Sequence, residues 1–384
     1  MKISVVTETF HPFRGGSAKR YREVFKRVAA RGHDVTIYTA RLWADCPTEE
    51  DIDGIHVVRT PKVLRGFITK EGFRDVNKVL EFSAWALKRL VKDESPDVIE
   101  ANHCPIFPAL ASWLARSARG RPLCVTFHEC WHNHWYWYVP SRFYAPLGMV
   151  LEKLTAWAPD CVVSVSELTA DRLATHLGMK RDRIRVIPNG VDLERIGEVE
   201  AERNGKEIVY VGRLNFHKKL DWLIQAYERV RNEAKGARLT IVGEGPAREM
   251  CEGLVRRAGV DGIEFTGAVD DAELYRLLRQ ARVYVLPSIR EGQSITTLEA
   301  MAAGTPQVVV EADGNGAAEL VRAGMTGIVA RPSPDAIAEG ITRIIDDDEL
   351  WHEFHSHSLS FVRRYTWNAA SAQYLQVYSD LLSS

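Results

Sequence analysis

The sequence lacks the marks of several large classes of protein. Its 384 residues include six cysteines without any Cys-x-x-Cys pair, which indicates reduced thiols packed as small hydrophobic side chains. No apolar run reaches the ~20 residues needed to cross a bilayer, so a membrane-spanning protein is excluded. The first residues do not show a charged region, an apolar stretch and a cleavage site in succession, and a cytoplasmic location is therefore expected.

An excess of one charge and low-complexity segments are also missing. The chain has 50 Lys and Arg residues against 51 Asp and Glu residues, a balance that predicts no nucleic-acid partner. With 46% hydrophobic and 26% charged residues, the composition is that of a folded globular protein. A chain of this length exceeds one ordinary hydrophobic core and predicts two α/β domains.

Short runs rich in Val and Ile alternate with helical patterns, which predicts doubly wound parallel sheets. The predicted strands are residues 2–6, 34–38, 55–59, 97–101, 123–127, 161–166, 185–188, 208–211, 239–242, 263–265, 283–286, 307–310 and 328–330. The alternation pauses at residues 192–206, so we predict a Rossmann-like N-terminal, acceptor-side domain over 1–195 and a second, donor-binding one over 196–366. If the domains face each other, the carboxyl ends of both sheets, where open α/β sheets bind ligands, meet at one cleft.

The remaining segment, residues 367–384, is predicted to hold a final helix over about 369–382. The residues predicted to form its apolar side are Ala372, Leu375, Tyr378 and Leu382. An apolar side of this kind must dock on another part of the chain, and the sequence pattern does not say on which domain.

The segment 287–306 carries the strongest chemical signal. A strand ends at its first residue, a turn follows, and a helix is predicted from the N-cap Ser294 to Gly304. The turn and the helix N-terminus present free backbone N–H groups at the carboxyl edge of a sheet, which favours an anionic ligand. Glu291 in the turn and Glu299 in the helix can accept hydrogen bonds from sugar hydroxyls, although two structural or solvated glutamates explain the pattern equally well.

This segment resembles the E-x7-E motif of glycosyltransferase family 4, whose members are retaining enzymes with the GT-B fold. Further segments that resemble the family lie between residue 1 and about residue 332. They are Gly15-Gly16, Arg31-Gly32-His33-Asp34-Val35, Ile187-Pro188-Asn189-Gly190-Val191-Asp192, Val211-Gly212-Arg213-Leu214-Asn215-Phe216-His217-Lys218 and Val242-Gly243-Glu244-Gly245-Pro246. Lys219 and Asn315 depart from the pattern, because the family usually has glycine there, and these departures bear on the shape of the phosphate and sugar pockets.

The resemblance implies a binding site for a nucleotide-sugar donor, linked through UDP or GDP. It assigns Arg213 and Lys218 to the pyrophosphate, whose negative charge grows as the sugar–phosphate bond breaks and is stabilised by fixed cations. Glu299 is assigned to the ribose hydroxyls, Glu291 to the transferred sugar and Val269 to the vicinity of the base. The further residues implied in donor binding are Gly15, Gly16, Gly292, Gln293, Ser294 and Ile295.

The resemblance also implies a mechanism that retains the anomeric configuration without a protein nucleophile. The leaving phosphate accepts the proton of the acceptor, and His128 helps to stabilise the developing oxocarbenium ion. A histidine at a strand end is by itself more often a structural residue. We expect no cofactor and no catalytic metal, because Arg213, Lys218 and a helix N-terminus supply the positive potential.

Three alternative interpretations remain. An epimerase or hydrolase of the GT-B fold would turn over the nucleotide sugar without an acceptor. His128 and His132 match the H-E-x-x-H motif of zinc proteases, with Glu152 as a third ligand, but that motif requires a helix and His128 follows a predicted strand. Asp51-Ile52-Asp53 resembles the metal-binding D-x-D of another glycosyltransferase fold, and we interpret it as an exposed loop.

Two features concern the acceptor. The predicted first helix, residues 18–30, is amphipathic, and its basic side predicts attraction to anionic lipid or to a phosphorylated acceptor, unless it is simply a solvated face. These basic residues are Lys19, Arg20, Arg22, Lys26 and Arg27. Aromatic rings crowd residues 131–144, where they would stack on sugars, lie at a membrane surface or fold over their own domain. They are Trp131, Trp135, Tyr136, Trp137, Tyr138, Phe143 and Tyr144.

Overall fold

The chain divides into two α/β units, each with its own parallel sheet. The computed structural model describes residues 1–69, 72–92, 96–138, 142–203 and 205–383, without the side chains of residues 137 and 138. The N-terminal unit comprises Met1–Asn189 and Trp367–Ser384. The C-terminal unit comprises Gly190–Thr366.

The N-terminal unit is built on one mainly parallel sheet. Its strands are β1 (Lys2–Val6), β2 (Asp34–Thr39), β3 (Glu49–Ile52), β4 (Ile55–Arg59), β5 (Val98–Asn102), β6 (Leu123–Phe127), β7 (Cys161–Ser164) and β8 (Ile184–Val186). They follow the order β3-β4-β2-β1-β5-β6-β7-β8, and only β3 runs antiparallel to its neighbour. The helices are α1 (Gly16–Ala29), α2 (Val76–Lys92), α3 (Ile106–Arg119), α4 (Trp135–Tyr138), α5 (Ala145–Trp157) and α6 (Glu167–Leu177).

The C-terminal unit has a smaller sheet with the strand order of a Rossmann fold. Its strands are β9 (Glu207–Val211), β10 (Arg238–Val242), β11 (Ile263–Gly267), β12 (Val283–Leu286), β13 (Arg290–Glu291), β14 (Gln307–Val310), β15 (Gly314–Asn315) and β16 (Gly327–Ala330). Six of them form a parallel sheet in the order β11-β10-β9-β12-β14-β16, and β13 pairs with β15. The helices are α7 (Leu193–Gly197), α8 (Leu220–Glu233), α9 (Arg248–Ala258), α10 (Asp271–Gln280), α11 (Ile295–Ala302), α12 (Gly316–Gly324), α13 (Pro334–Asp346) and α14 (Asp348–Phe361).

Among the described residues, five short 3-10 helices complete these elements. They are His132–His134, Arg142–Tyr144, Arg181–Arg183, Phe216–Lys218 and Val362–Arg364. Within the described residues, every helix is too short or too polar to cross a bilayer.

The predicted strands are confirmed, because each lies within a strand of the structure or overlaps one. Strands β12 and β14 are buried at every residue, as expected for a parallel sheet covered by helices on both faces. Strands β3, β13 and β15 were not predicted, since they are short and contain polar residues or glycine. Their pairing depends on distant partners that local periodicity does not reveal.

The chain crosses between the units twice, at Asn189/Gly190 and at Thr366/Trp367. We predicted the domain boundary at residue 195, and the first crossing comes before it. The predicted linker, residues 192–206, belongs to the C-terminal unit and contains the helix α7. The backbone N–H of Val191 donates to the carbonyl of Tyr365 at 3.0 Å. This bond joins the first and the last segment of the C-terminal unit.

The final helix, α15 (Trp367–Ser383), packs against α1 within the N-terminal unit. The hydroxyl of Tyr378 donates to the buried Glu100 at 3.1 Å. Our prediction of its docking side was wrong apart from Tyr378, because Ala372 and Leu382 are exposed and Leu375 is half-buried. The side that docks carries hydroxyl groups with specific partners, which a search for apolar positions overlooks. Its buried residues are Trp367, Ala370, Ser371, Tyr374, Val377 and Tyr378.

Candidate active site

The candidate site in the C-terminal unit lies at the carboxyl ends of β9 and β12. Strand β9 pairs with β10 on one side and with β12 on the other, so the winding direction of the sheet changes here. Loops that leave two such strands diverge and leave room for a ligand. Arg213 and Lys218 follow β9, and Glu291 follows β12. The backbone N–H of Ile289 donates to the carbonyl of His217 at 3.1 Å, which joins the two loops.

Lys218 and Glu291 form an ion pair at this point. The ammonium of Lys218 contacts Oε1 of Glu291, and the two side chains are 15% and 11% exposed. Partial burial strengthens such an interaction and restricts both side chains to one arrangement. The sequence placed the two residues in one site without predicting their contact.

Helix α11 begins where the motif predicted it. Ser294 is its N-cap and accepts a hydrogen bond from the backbone N–H of Thr297 at 3.1 Å. The helix runs from Ile295 to Ala302, and the residue after its C-cap, Gly304, has a φ of +67°. The predicted helix is therefore confirmed, and its first turn presents backbone N–H groups that can bind an anion.

The two motif glutamates lie on either side of this helix start, and both are buried. As whole residues, Glu291 is 9% and Glu299 is 3% exposed, and Tyr284 on β12 is fully buried. Burial raises the pKa of Tyr284, and the negative charges of Glu291 and Glu299 raise it further. The phenol therefore stays protonated.

Asn315, one of the two departures from the family pattern, links three segments around Glu291. Its amide nitrogen donates to the carbonyls of Ser288 and Val310 at 2.9 and 2.7 Å. Its amide oxygen accepts the backbone N–H of Ala317 at 3.1 Å, and so caps α12. Since β13 pairs with β15 at Glu291 and Asn315, this side chain holds the strand that carries Glu291.

Lys219, the other departure, adopts the left-handed conformation that normally favours glycine. Its φ is +52° and its ψ is 43°, directly before α8. Its ammonium lies 4.9 Å from the centre of the Trp222 ring, within range of a cation–π interaction. The loop that carries Lys218 thus has the backbone conformation that a glycine would adopt at position 219. The Lys219 side chain lies on the aromatic ring of Trp222.

The loop after β10 supports the loop that carries Arg213. Gly243 has a φ of +130°, and a Cβ atom added to it would lie 2.0 Å from the carbonyl oxygen of Gly212. The backbone N–H of Leu214 donates to the carbonyl of Glu244 at 2.9 Å. Only glycine at position 243 allows this approach, so the position of Arg213 depends on it.

We expect Gly243→Ala to lower the free energy of unfolding by about 3 kcal/mol, because it adds both backbone strain and a clash with Gly212. Urea denaturation of the purified variant measures this change. Gly236→Ala is the matched control, because Gly236 has a φ of +86° and an added Cβ would meet no atom within 4 Å. It should lose only about 1 kcal/mol from strain. Equal losses in both variants would contradict the role given to the Gly212 contact.

The remaining predicted donor residues of the C-terminal unit lie at the same edge of its sheet. Val269 follows β11 and is partly buried against the core. Gly292 and Gln293 form the turn between β13 and α11. A Cβ atom on Gly316 would lie 2.3 Å from the carbonyl oxygen of Gly292, which shows how closely the turn packs on α12.

Three predicted site residues belong to the N-terminal unit. Gly15 is the N-cap of α1 and Gly16 is its first residue, after the loop that follows β1. His128 follows β6, and its ring centre lies 6.1 Å from that of Tyr21 on α1. Burial lowers the pKa of His128 to about 3, so the imidazole is neutral at physiological pH. Within the described residues its Nε2 has no hydrogen-bond partner.

Our interpretation missed a polar cluster at the carboxyl ends of β1 and β5. Glu8 pairs with Arg74 at 2.9 Å and accepts a hydrogen bond from Asn102 at 3.3 Å. His103 stacks on Phe127 with 3.8 Å between ring centres, and burial lowers the pKa of His103 to about 3. The signal was present, since Glu8, Asn102 and His103 lie at or just after the ends of predicted strands, as His128 does.

The structure does not support the zinc-protease alternative. His128 lies in a bend after β6, so the motif is not on a helix. The carboxylate of Glu152 accepts the backbone N–H groups of Trp131 and His132 at 2.7 and 2.8 Å and the indole N–H of Trp135 at 2.9 Å. Among the described residues, no three His, Cys, Asp or Glu side chains are placed to share a metal ion.

The D-x-D run was predicted as an exposed loop, and this is wrong in part. Asp51 lies on the edge strand β3 and Asp53 in the turn to β4. Asp53 pairs with Arg22 at 2.8 Å, and Asp51 contacts His56 at 3.0 Å. Both carboxylates therefore lie in a surface hairpin with basic neighbours.

The basic side of α1 is not the free surface that we predicted. Arg20 is 1% exposed, and its guanidinium donates to the carbonyl of Ile187 at 2.7 Å and to the hydroxyl of Tyr374 at 3.0 Å. Arg20 therefore joins α1 to the core and to α15. The carboxylate of Glu23 neutralises the positive charges on the next turn of α1. Its partners are Lys26 at 2.7 Å and Arg27 at 2.5 Å.

Comparisons with known proteins agree with this architecture. Residues 14–195 match the model described as Glycosyltransferase Family 4, and residues 205–347 match the one described as Glycosyl transferases group 1. The phosphatidyl-myo-inositol mannosyltransferase of Mycobacterium leprae is 30% identical over 78% of this chain and 77% of its own length.

Two solved structures are similar to the chain over nearly its whole length. Sucrose-phosphate synthase from Thermosynechococcus elongatus has a TM-score of 0.83 at 22% identity, covering 100% of this chain and 99% of that one. HepE of Anabaena in complex with UDP-glucose has a TM-score of 0.75 at 18% identity, covering 99% and 100%. The chain therefore has the GT-B fold of two Rossmann-like domains and belongs to glycosyltransferase family 4.

Proposed function

We propose that the protein transfers a hexosyl-type sugar from a UDP- or GDP-linked donor to an acceptor hydroxyl, with retention of configuration and without a catalytic metal. The observation that carries this proposal is the contact between Lys218 and Glu291 beside the N-terminus of α11. A cation next to a carboxylate suits a ligand in which a phosphate adjoins a hydroxylated sugar. The complex of HepE with UDP-glucose supports this donor class.

In this proposal the diphosphate binds to Arg213, to Lys218 and to the backbone N–H groups at the start of α11, those of the N-cap Ser294 and of Ile295. A guanidinium offers paired N–H donors that match two phosphate oxygens, and an ammonium adds a point charge. Negative charge on the diphosphate increases as its bond to the sugar breaks. Donors that are already in place therefore stabilise the transition state more than the bound substrate.

The two motif glutamates then bind the two sugars of the donor. Glu291 accepts hydrogen bonds from hydroxyls of the transferred sugar, while Glu299 accepts them from the ribose. Val269 lies near the base, and the turn of Gly292 and Gln293 presents its backbone to the ligand. The buried positions of both carboxylates support these roles, because hydrogen bonds from hydroxyls are worth more away from bulk water.

The chemical step exchanges one bond for another on the same face of the sugar. The bond between the anomeric carbon and the phosphate oxygen breaks, and a bond to the acceptor oxygen forms. The acceptor's proton moves to the leaving phosphate, so no protein side chain forms a covalent intermediate. Gly15, Gly16 and His128 keep the roles in donor binding and oxocarbenium stabilisation that the family resemblance implies. With its low pKa, His128 acts as a neutral dipole.

The acceptor that we propose is an amphiphile with a free hydroxyl, linked to a lipid. The support is the similarity to a phosphatidyl-myo-inositol mannosyltransferase, whose name specifies such an acceptor. A polar acceptor without a lipid is the competing class. The two classes differ in whether activity requires a membrane or detergent surface.

The proposal predicts donor turnover that depends on an acceptor and survives chelation. UDP and GDP are first compared by thermal shift, since a ligand of the folded state raises its apparent stability. The matching nucleotide sugar is then incubated with phosphatidylinositol vesicles in excess EDTA, and released nucleoside diphosphate and product anomer are measured. We expect retained configuration and activity with EDTA close to that with Mg²⁺.

Two results would contradict this proposal. Complete loss of activity in EDTA, restored by Mg²⁺ or Mn²⁺, would contradict the metal-independent mechanism and return attention to Asp51 and Asp53. Equal consumption of the nucleotide sugar with and without any acceptor would instead identify a hydrolase or an epimerase.

A further inference from the structure

Helix α5 exposes its large apolar side chains instead of burying them. Leu147, Val150, Leu154 and Trp157 are 56%, 57%, 52% and 51% exposed. Their spacing of three, four and three residues puts them on one side of the helix. The opposite, buried side consists of small and polar residues. They are Ala145, Gly148, Glu152, Thr155 and Ala156.

The inner side of α5 is held by specific contacts. Glu152 accepts three N–H groups from the segment that follows His128, as described above. Trp135 packs against Gly148 so closely that an added Cβ would lie 2.5 Å from its indole ring. Turning α5 to bury its apolar side would remove the partners of a buried carboxylate, which is costly. The outward direction of the apolar side is therefore a stable feature of the fold.

The exposed apolar surface continues beyond α5. The 3-10 turn before it exposes Phe143 to 92% and Tyr144 to 60%. On the neighbouring helix α3, Trp113 and Leu114 are 37% and 49% exposed. We call these residues, with the four on α5, the α3–α5 surface. Soluble monomers rarely expose so many large apolar side chains together.

The exposed charges within α3 and residues 142–157 are all positive, and one of them, on Arg116, pairs with Asp160 at 2.6 Å. The sequences of α3 and of residues 142–157 contain a single carboxylate, that of Glu152, which is buried. The basic residues in the same segments are Arg116, Arg119, Arg142 and Lys153. The ammonium of Lys153 lies 5.9 Å from the centre of the Trp157 ring, and both side chains are exposed.

The combination of exposed apolar side chains and positive charge favours one class of binding partner over another. A second copy of the chain would bring equal positive charges together, which opposes self-association. An anionic bilayer offers the opposite charge and an apolar interior. Aromatic rings favour the boundary between the two, and long basic side chains extend to the phosphates.

We propose that the α3–α5 surface docks the N-terminal unit on an anionic lipid bilayer. Its apolar side chains enter the headgroup boundary, and Arg142 and Lys153 contact lipid phosphates. This inference deepens the proposed function by naming the membrane as the partner through which a lipid acceptor is reached. The inference rests on the proposed function only for the biological role of docking, because binding to vesicles requires neither donor nor acceptor.

The test is flotation of the full chain with vesicles of phosphatidylglycerol and phosphatidylcholine, and with vesicles of phosphatidylcholine alone. The triple variant Leu147→Gln, Val150→Gln, Leu154→Gln should bind the anionic vesicles at least about tenfold more weakly. Arg142→Gln with Lys153→Gln should weaken binding and reduce its dependence on salt. The matched control, Val76→Gln with Leu80→Gln on α2, removes apolar side chains that are 53% and 44% exposed and should change nothing.

Three results would overturn this inference. The first is unchanged vesicle binding by the triple variant. The second is loss of binding only on neutralising Lys19 and Arg22 of α1. The third is a dimer of the parent chain that the triple variant converts to a monomer in sedimentation, which would identify the surface as a contact between copies.

Vesicle binding without donor turnover would contradict the proposed function alone, and turnover without vesicle binding would contradict the docking alone.

Discussion

Arg213→Ala should lower kcat by about 100-fold or more, the effect expected when one pre-organised donor to a developing negative charge is lost. Arg213 lies on the loop after β9 that Gly243 supports, at the point where the C-terminal sheet changes its winding direction. The leaving diphosphate gains charge only as the bond to the sugar breaks. The variant should therefore lose more in kcat than in donor affinity.

The measurement is steady-state kinetics with the nucleotide sugar as the varied substrate. Glu299→Ala serves for comparison, because a ribose contact is the same in substrate and transition state and its loss should chiefly raise the donor KM. Arg213→Lys should recover part of the rate, since it keeps the charge without the paired donors. A normal kcat/KM in Arg213→Ala would show that Arg213 does not bind the diphosphate.

The second large effect is expected at the ion pair of Lys218 and Glu291. Each single variant, Lys218→Met or Glu291→Gln, should lower kcat/KM by about 100-fold, because it removes one donor contact and leaves the other side chain without its partner. The double variant should lose much less than the product of the two. Residues in direct contact typically show a coupling of about 0.5–3 kcal/mol.

A double-mutant cycle on kcat/KM measures this coupling, and urea denaturation separates it from loss of folding. The control cycle uses Arg322 and Glu311, an exposed pair at 2.9 Å in the same unit. Exposed pairs contribute little, so neither rate nor stability should change much there. Additive losses at Lys218 and Glu291 would mean that the two side chains act independently and that their contact has no role in binding the donor.

The sequence pattern was sufficient to predict those elements whose structure depends on residues that are neighbours along the chain. The alternation of buried strands and amphipathic helices predicted both sheets, because parallel strands are continuous apolar runs. The helix α11 could be predicted to within a residue or two from Ser294 and Gly304, since capping acts over a few residues. The order of these local elements was enough to expect Arg213, Lys218 and Glu291 at one edge of one sheet.

Patterns of hydrophobicity failed where polar groups are buried with distant partners. Arg20 looked like a solvated residue on α1, yet Ile187 and Tyr374 satisfy its donors in the core. The docking side of α15 was misplaced for the same reason, because the unpredicted Tyr374 is buried with its hydroxyl accepting a hydrogen bond from Arg20. Burying a charged or hydroxylated side chain is favourable only once such partners are in place, and they lie far away in sequence.

The sequence by itself therefore determined the fold class and the positions of most strands, while the residues predicted to form the donor site came from the resemblance to a known family. Local hydrogen bonds and the periodic burial of apolar side chains are set by adjacent residues, which explains this success. Only the tertiary structure decided that Lys218 touches Glu291, that Asn315 holds the strand beside it, and that α5 turns its apolar side outward. Each of these depends on contacts between segments that are distant along the chain, whose geometry follows from packing as a whole.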